Sequence, residues 1–159
     1  MKPLGVLVNP AANRGRGGQV GDQVFELLQR AGIPAINLTS DSALQAKEKS
    51  QLAISAQEIS GVIAVGGDGT TQLGVNICVP NQVPLGIVPA GTVNDQAREL
   101  NIKLGDPAAA VENIIDSLST PRRVDVMKVV TTDRGFLSFG SVSAGFDSLL
   151  AKTANGPKL

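Results

Sequence analysis

Short apolar runs alternate along the chain with longer stretches in which apolar residues return every three or four positions. That alternation predicts a parallel β-sheet covered by helices. Leu4 to Val8 predicts a first strand, and Val20, Val24, Leu27, Leu28 and Ala31 then fall at helical spacing before Gly32, where a helix should stop. Ala35 to Leu38 predicts a second strand. The stretch from Ser42 to Ile59 is polar with a thin apolar stripe (Leu52, Ala56, Ile59), which predicts a surface helix. Gly61 to Val65 and Leu85 to Val88 predict a third and a fourth strand. Val111, Ile114, Ile115 and Leu118 repeat at i, i+3, i+4 and i+7, giving a helix that ends near Pro121.

Beyond Pro121 the pattern changes. Val124 to Val130 and Phe136 to Val142 predict two β segments joined by the turn-like Asp133-Arg134-Gly135. With no helix between them they suit an antiparallel pair. The expected organisation is therefore an α/β domain over 1–121, a three-layer α/β/α unit with a mostly parallel sheet, and β segments over 122–159. Roughly forty residues fall below the size at which a separate domain usually folds unaided. Either those segments extend the first sheet, or they begin a β-rich second domain that is incomplete here.

Composition narrows the classes. The chain has 159 residues, enough at 42% hydrophobic to fill one core. Its 14 basic and 14 acidic side chains cancel, so no net field draws a polyanion such as DNA. The only aromatic residues are 4 Phe, too few for stacking on exposed bases, so nucleic acid is not an expected partner. Cys78 has no partner in the chain, which excludes a disulfide framework and fits a reducing compartment. It sits in an apolar run (Val75, Ile77, Val79) without a basic neighbour, the setting of a packed core thiol. The opening MKPLGVLVNPAA is too short for a signal peptide or a membrane span, so a cytoplasmic location is expected. The 18 glycines cluster at the ends of apolar runs, and this is where candidate chemistry lies.

Three strand ends stand out. Asn9-Pro10-Ala11-Ala12-Asn13-Arg14-Gly15-Arg16 combines a stiff turn, glycine and two arginines whose planar donors suit phosphate; taken alone, it reads first as an ordinary βα loop with a solvated basic tip. Gly66-Gly67-Asp68-Gly69-Thr70-Thr71-Gln72 follows one strand and opens a helical pattern. Glycines there allow close backbone approach, and a helix start presents unpaired N–H groups, so the segment predicts a phosphate cradle rather than a merely capped turn. Asp68 suits such a place if it holds Mg²⁺ or its water shell, or caps the following helix. Pro89-Ala90-Gly91-Thr92-Val93-Asn94-Asp95 again runs from a strand through Gly-Thr to a helix start at Asn94 or Asp95. In an open α/β sheet such loops converge at the carboxyl edge, where ligands bind.

Familiar alternatives fail on spacing. There is no G-x-x-x-x-G-K-[ST], and no G-x-G-x-x-G follows the first strand. The chain has 0 His, which removes Ser-His-Asp and Cys-His catalysis and zinc binding through imidazole.

Val8-Asn9-Pro10, the GGDGT run from Gly66 to Thr70 and the P-x-GT-x-ND run from Pro89 to Asp95 resemble, in order and spacing, the catalytic domain of diacylglycerol, sphingosine and ceramide kinases and their bacterial relatives. The likeness continues through Arg98, Arg123-Val124-Asp125 and Ser143 to Asp147. It implies a two-domain kinase with ATP and Mg²⁺ in the cleft and a lipid hydroxyl, met at a membrane surface, attacking the γ-phosphate. By position, Asn9, Pro10, Ala11, Ala12 and Asn13 would line the nucleotide pocket with Thr39 close by. Gly66, Gly67, Asp68, Gly69, Thr70, Thr71 and Gln72 would contact phosphates beside Gly91, Thr92, Asn94 and Asp95; Arg14 and Arg16 are further candidates. The family's glutamate base and metal site lie on a C-terminal β-rich domain.

Two departures qualify the likeness. Where the family commonly has Asn-Glu, this chain has Gln72 and Leu73, and Leu73 cannot replace a carboxylate. The chain also closes at Leu159, soon after the match to the family's entry into the second domain. The resemblance therefore implies a nucleotide-binding portion that is inactive alone, since Glu99 and Glu112 sit in patterns of solvated helix faces. A non-catalytic nucleotide-binding module is one alternative, self-associating as a homo-oligomer through the segment from Val124 to Leu150. An NAD-kinase-like enzyme gripping a ribose with Asn94-Asp95 is another, and an α/β domain whose glycine loops bind nothing is the fourth.

Overall fold

The computed structural model describes residues 2–132 and 135–142. Four strands, β1 (Leu4–Val8), β2 (Ala35–Asn37), β3 (Gly61–Gly66) and β4 (Leu85–Pro89), form a parallel sheet in the order β2-β1-β3-β4. The helices are α1 (Ala12–Arg30), α2 (Ala43–Ser55), α3 (Asp68–Asn81), α4 (Asp95–Glu99) and α5 (Pro107–Ser117). Two further strands, β5 (Met127–Val130) and β6 (Gly135–Ser138), pair antiparallel as a separate sheet rather than extending the first. Residues Asp133 and Arg134 of the expected turn, and the stretch from Ser143 to Asp147, lie outside the described residues.

Alternation along the strands builds two cores. Leu4 and Val6 of β1 and Ile63 and Val65 of β3 pack with Val24 and Leu28 of α1 and Ala110 and Val111 of α5. Leu7 and Val62 point the other way, onto Ala46 and Ala53 of α2 and Ile77 and Cys78 of α3. All of β3 is buried, as a strand covered on both faces must be. The α/β/α layering expected from the apolar runs is present. Helix starts follow local chemistry: the Ser42 side chain accepts from Gln45 N at 3.2 Å, and Asp106 from Ala109 N at 3.0 Å with Pro107 in the first turn.

Three elements depart from the sequence pattern. Helix α2 ends at Ser55 and buries Ala46, Ser50 and Ala53, while Leu52 stays 72% exposed and Ala56 is exposed too. Small side chains let this helix sit close to the sheet, and Ser50 is burial-compatible because its hydroxyl donates to Ala46 O at 2.7 Å. Helix α1 begins eight residues before the apolar repeat at Val20, but Asn13, Arg14 and Gly15 inside it are left-handed, with φ of 48°, 58° and 91°. Both hairpin strands are shorter than the apolar runs that suggested them. Among the described residues nothing covers Met127 and Val130, which are exposed.

Cys78 is the expected core thiol. It is buried, and desolvation pushes its pKa up to about 12. Alkylation at pH 8 should therefore be very slow in the native chain and fast in denaturant; rapid native labelling, read by mass, would show that α3 opens readily. The raised pKa also sets a sign: the unfolded thiol loses its proton first, so stability falls as pH rises above roughly 9.

Candidate functional site

The strand order places a crevice between the carboxyl ends of β1 and β3, because the chain leaves β1 for one face of the sheet and β3 for the other. The turns are tied together at their roots. Asn9 N donates to Val65 O at 2.9 Å, and Ala90 N donates to Gly66 O at 2.7 Å. The first turn is shaped by Asn9, whose side chain accepts from Ala11 N at 3.1 Å and whose carbonyl accepts from Ala12 N at 3.1 Å. The left-handed residues Asn13, Arg14 and Gly15 then turn the backbone before the helix resumes. A Cβ on Gly17 would stand 2.1 Å from Asn9 O, so α1 is pressed against this turn as no other residue type would allow. Arg14 and Arg16 are exposed. Thr39 joins from β2: its hydroxyl accepts from Val8 N at 3.1 Å, prolonging the ladder beside Asn9.

The second and third turns meet backbone to backbone. A Cβ on Gly91 would lie 2.4 Å from Gly67 Cα and 2.7 Å from Asn94 Oδ1. Asn94, left-handed at φ 58°, closes the third turn on itself: Gly91 N donates to Oδ1 at 2.9 Å and Nδ2 donates to Gly91 O at 2.8 Å. Gly67 caps α3, its carbonyl accepting from Thr70 N and Thr71 N at 3.0 Å each. The amides of Asp68 and Gly69 keep no intrahelical acceptor. Gly69 is exposed, and a Cβ built on it meets nothing within 4 Å. The open space at Gly69 lies over the positive end of a 14-residue helix. Gly91→Ala should force the two turns apart and cost about 1–3 kcal/mol, as overpacking against immovable backbone does; a denaturation midpoint equal to wild type would mean that the turns separate freely.

Not every sequence candidate reaches this space. Asn9, Pro10, Ala11, Gly67, Asp68, Gly69, Gly91 and Thr92 belong to turns at the carboxyl edge, and Asn13 is half-buried in the left-handed run. Ala12 is buried. Thr70 is buried beneath Gly66, and the buried Thr71 directs its hydroxyl to Gly67 O at 3.4 Å. Asp68 caps a helix other than its own, accepting from Gln96 N at 2.9 Å at the start of α4. Gln72 bonds the backbone of Leu137 and Phe139. Asp95 pairs with Arg98 at 3.2 Å on the surface, and Glu99 and Glu112 are exposed. Two residues absent from the sequence candidates, Asn76 and Gln96, prove to be linked to Gln72; Asn76 lies one helical turn beyond it, which is the signal that was available. A concavity of about 680 Å³ runs along the outer edge of β4 between Leu85, Val79, Ile114, Val124 and Phe139. None of the glycine turns lines it, so it is separate from the carboxyl-edge chemistry.

Residues 3–129 match the diacylglycerol kinase catalytic domain. A diacylglycerol kinase of Mycobacterium tuberculosis is 30% identical over 151 residues, 94% of this chain and 48% of that protein. One of Bacillus subtilis is 32% identical over 135 residues, 81% of this chain and 42% of that protein. The chain thus spans about half the length of the curated relatives it matches. Among solved structures, a diacylglycerol kinase from Bacillus anthracis str. Sterne superposes with a TM-score of 0.61 at 25% identity, covering 80% of this chain and 42% of that one. A domain match over most of the length, joined to the same fold, means that the chain belongs to the diacylglycerol kinase catalytic-domain family.

Proposed function

We propose that this chain is the ATP-binding portion of a lipid kinase that moves the γ-phosphoryl group of ATP to a lipid hydroxyl, with a diacylglycerol-type acceptor. The observation that carries the reading is the open, glycine-floored space at Gly69 over the free first-turn amides of α3. Packing among the described residues gives no reason for glycine there, whereas a phosphate seated on those amides does. Relatives named diacylglycerol kinase supply the lipid acceptor.

In this reading the amides of Asp68 and Gly69 hold β- and γ-phosphate oxygens and orient the terminal group. Thr92 lies beside them on the third turn, and Asn9 to Asn13 with Thr39 flank the nucleoside. The exposed Arg14 and Arg16 would serve the phosphates as charge-neutralising donors. Asp68, whose Oδ1 also accepts from Gln96 N, would be the one carboxylate here to hold a phosphate-borne Mg²⁺ or its water shell, and the ion would supply charge neutralisation. Phosphoryl transfer asks for positioning and charge compensation more than covalent chemistry, which suits a site built from backbone amides. The resemblance would place the general base on the family's C-terminal β-rich domain. A lipid acceptor would be met at a membrane surface; no helix among the described residues is long and apolar enough to cross a membrane.

The test is calorimetric titration of ATP with and without Mg²⁺. Saturable binding that strengthens with Mg²⁺ is expected, together with a rise in melting temperature that grows with ligand concentration. No heat and no stabilisation at millimolar ATP would overturn the reading.

A further inference from the structure

The side chain of Gln72, after the glycine turn, has partners of its own within the fold. We infer that Gln72, Asn76 and Gln96 form a side-chain strand that pins the β5–β6 hairpin to the phosphate-loop helix, making Gln72 a positioning residue for the hairpin. Asn76 pairs with Leu137 as a neighbouring peptide would: Nδ2 donates to Leu137 O at 2.8 Å, and Leu137 N donates to Oδ1 at 2.9 Å. Gln72 Nε2 also donates to Leu137 O, and Gln72 Oε1 accepts from Phe139 N at 3.3 Å. Gln96 Nε2 completes the row, donating to Phe139 O at 2.7 Å. Three side-chain amides thus satisfy the N–H and C=O of both residues that β6 and its next position turn toward the domain.

The match has a geometric cause. Residues four apart on a helix are separated by about 6 Å along its axis. Residues two apart on one edge of a strand are separated by about 6.7 Å. A carboxamide carries one acceptor and donors in a plane, as a peptide does. Gln72 and Asn76 therefore meet Leu137 and Phe139 in register, and an otherwise bare strand edge is covered. The same network reaches the candidate site, because Asp68 holds the backbone of Gln96 and Gln96 Nε2 faces Gln72 Oε1 at 3.4 Å. The start of α3, the start of α4 and the hairpin thus share one set of bonds. A ligand that orders the start of α3 also orders the hairpin. This last consequence rests on the proposed nucleotide site; the pinning itself does not.

Hydrogen exchange on the whole chain decides both points. In Asn76→Ala the Leu137 amide should exchange at least roughly tenfold faster, and in Gln72→Ala the Phe139 amide likewise, the loss expected for one to two hydrogen bonds. Amides of β1 and β3 should keep their rates. Asn81→Ala removes an amide from the same helix that, among the described residues, bonds Ile77 O alone, at 2.6 Å, and should leave the hairpin unchanged. Where Asn76→Ala fails to fold, Gln72→Ala carries the test from the half-buried start of the helix. ATP with Mg²⁺ should slow Leu137 and Phe139 in the wild type but not in Gln72→Ala, while Gln72→Ala binds ATP within about threefold of wild type. Unchanged hairpin exchange in both variants overturns the pinning. Lost ATP binding with an unchanged hairpin would make Gln72 a ligand contact instead. If wild type binds no ATP, the nucleotide reading fails while the exchange rates still decide the pinning.

Discussion

Gly69→Val should weaken ATP binding at least about a hundredfold without weakening the fold. Two charge-assisted hydrogen bonds from the amides of Asp68 and Gly69 to phosphate, at about 1.5–3 kcal/mol each, set that scale. A side chain at position 69 projects into space where, apart from its own turn of helix, no atom of the described residues lies within 4 Å. It strains nothing within the protein but stands over the amides that a phosphate would use. The milder Gly69→Ala makes the same point from the opposite side. Replacing glycine in a helical turn removes freedom from the unfolded chain, so this variant should gain about 0.4–1 kcal/mol of stability while it loses affinity. Gly67→Val is a poorer probe, because its Cβ would already lie 3.2 Å from Gly91 Cα and the turn would be disturbed with or without ligand. Calorimetry and thermal melts on the two position-69 variants separate binding from folding. Wild-type affinity in Gly69→Val would remove phosphate from the start of α3 and with it the proposed ATP site.

Much of this arrangement was legible in the chain because it is local. The apolar runs at Leu4 to Val8, Gly61 to Val65 and Leu85 to Val88 lie within one residue of the observed strands, since a strand buried on both faces must be apolar throughout. The three glycine turns were found by composition at strand ends, and the sheet order converts that into proximity. What local pattern cannot carry is contact at long range. Gln72 and Leu137 are 65 positions apart, and nothing near either one announces the other. Gly91 is glycine because Gly67 Cα lies against it, a fact invisible in a turn that glycine would suit anyway. The left-handed run Asn13-Arg14-Gly15 was hidden for a different reason. Arg14 ordinarily avoids φ > 0, so its own preference does not announce this conformation, which sits beside the close approach of Gly17 to Asn9 O. Helix α2 misled because leucine was expected to mark the buried face, whereas close docking favours Ala46, Ser50 and Ala53.

Ile63→Ala should cost about 3–5 kcal/mol, a large part of the 5–15 kcal/mol that holds a typical domain. Ile63 is 1% exposed at the middle of β3, with β1 on one side and β4 on the other. Its neighbours in register are Val6 and Gly86. Gly86 offers no side chain of its own, and Ile114 from α5 fills that place, since a Cβ there would stand 2.8 Å from Ile114 Cδ1. Truncating Ile63 therefore opens a cavity between α1 and α5 that the sheet cannot close. The backbone of β3 is held from both edges, and Ile114 already serves another gap. Ile63→Val, which removes a single methyl group, should cost only about 0.5–1.5 kcal/mol. In urea the midpoint should fall in that order while the slope stays constant, because the surface exposed on unfolding hardly changes. The same strand ends at Gly66, so the variants also ask whether the core sets the site. Ladder bonds from Asn9 N to Val65 O and Ala90 N to Gly66 O fix the turn independently of the Ile63 side chain. Folded Ile63→Ala should accordingly bind ATP within about threefold of wild type. A loss of affinity matching the loss of stability would mean instead that the glycine turns take their geometry from the core beneath them.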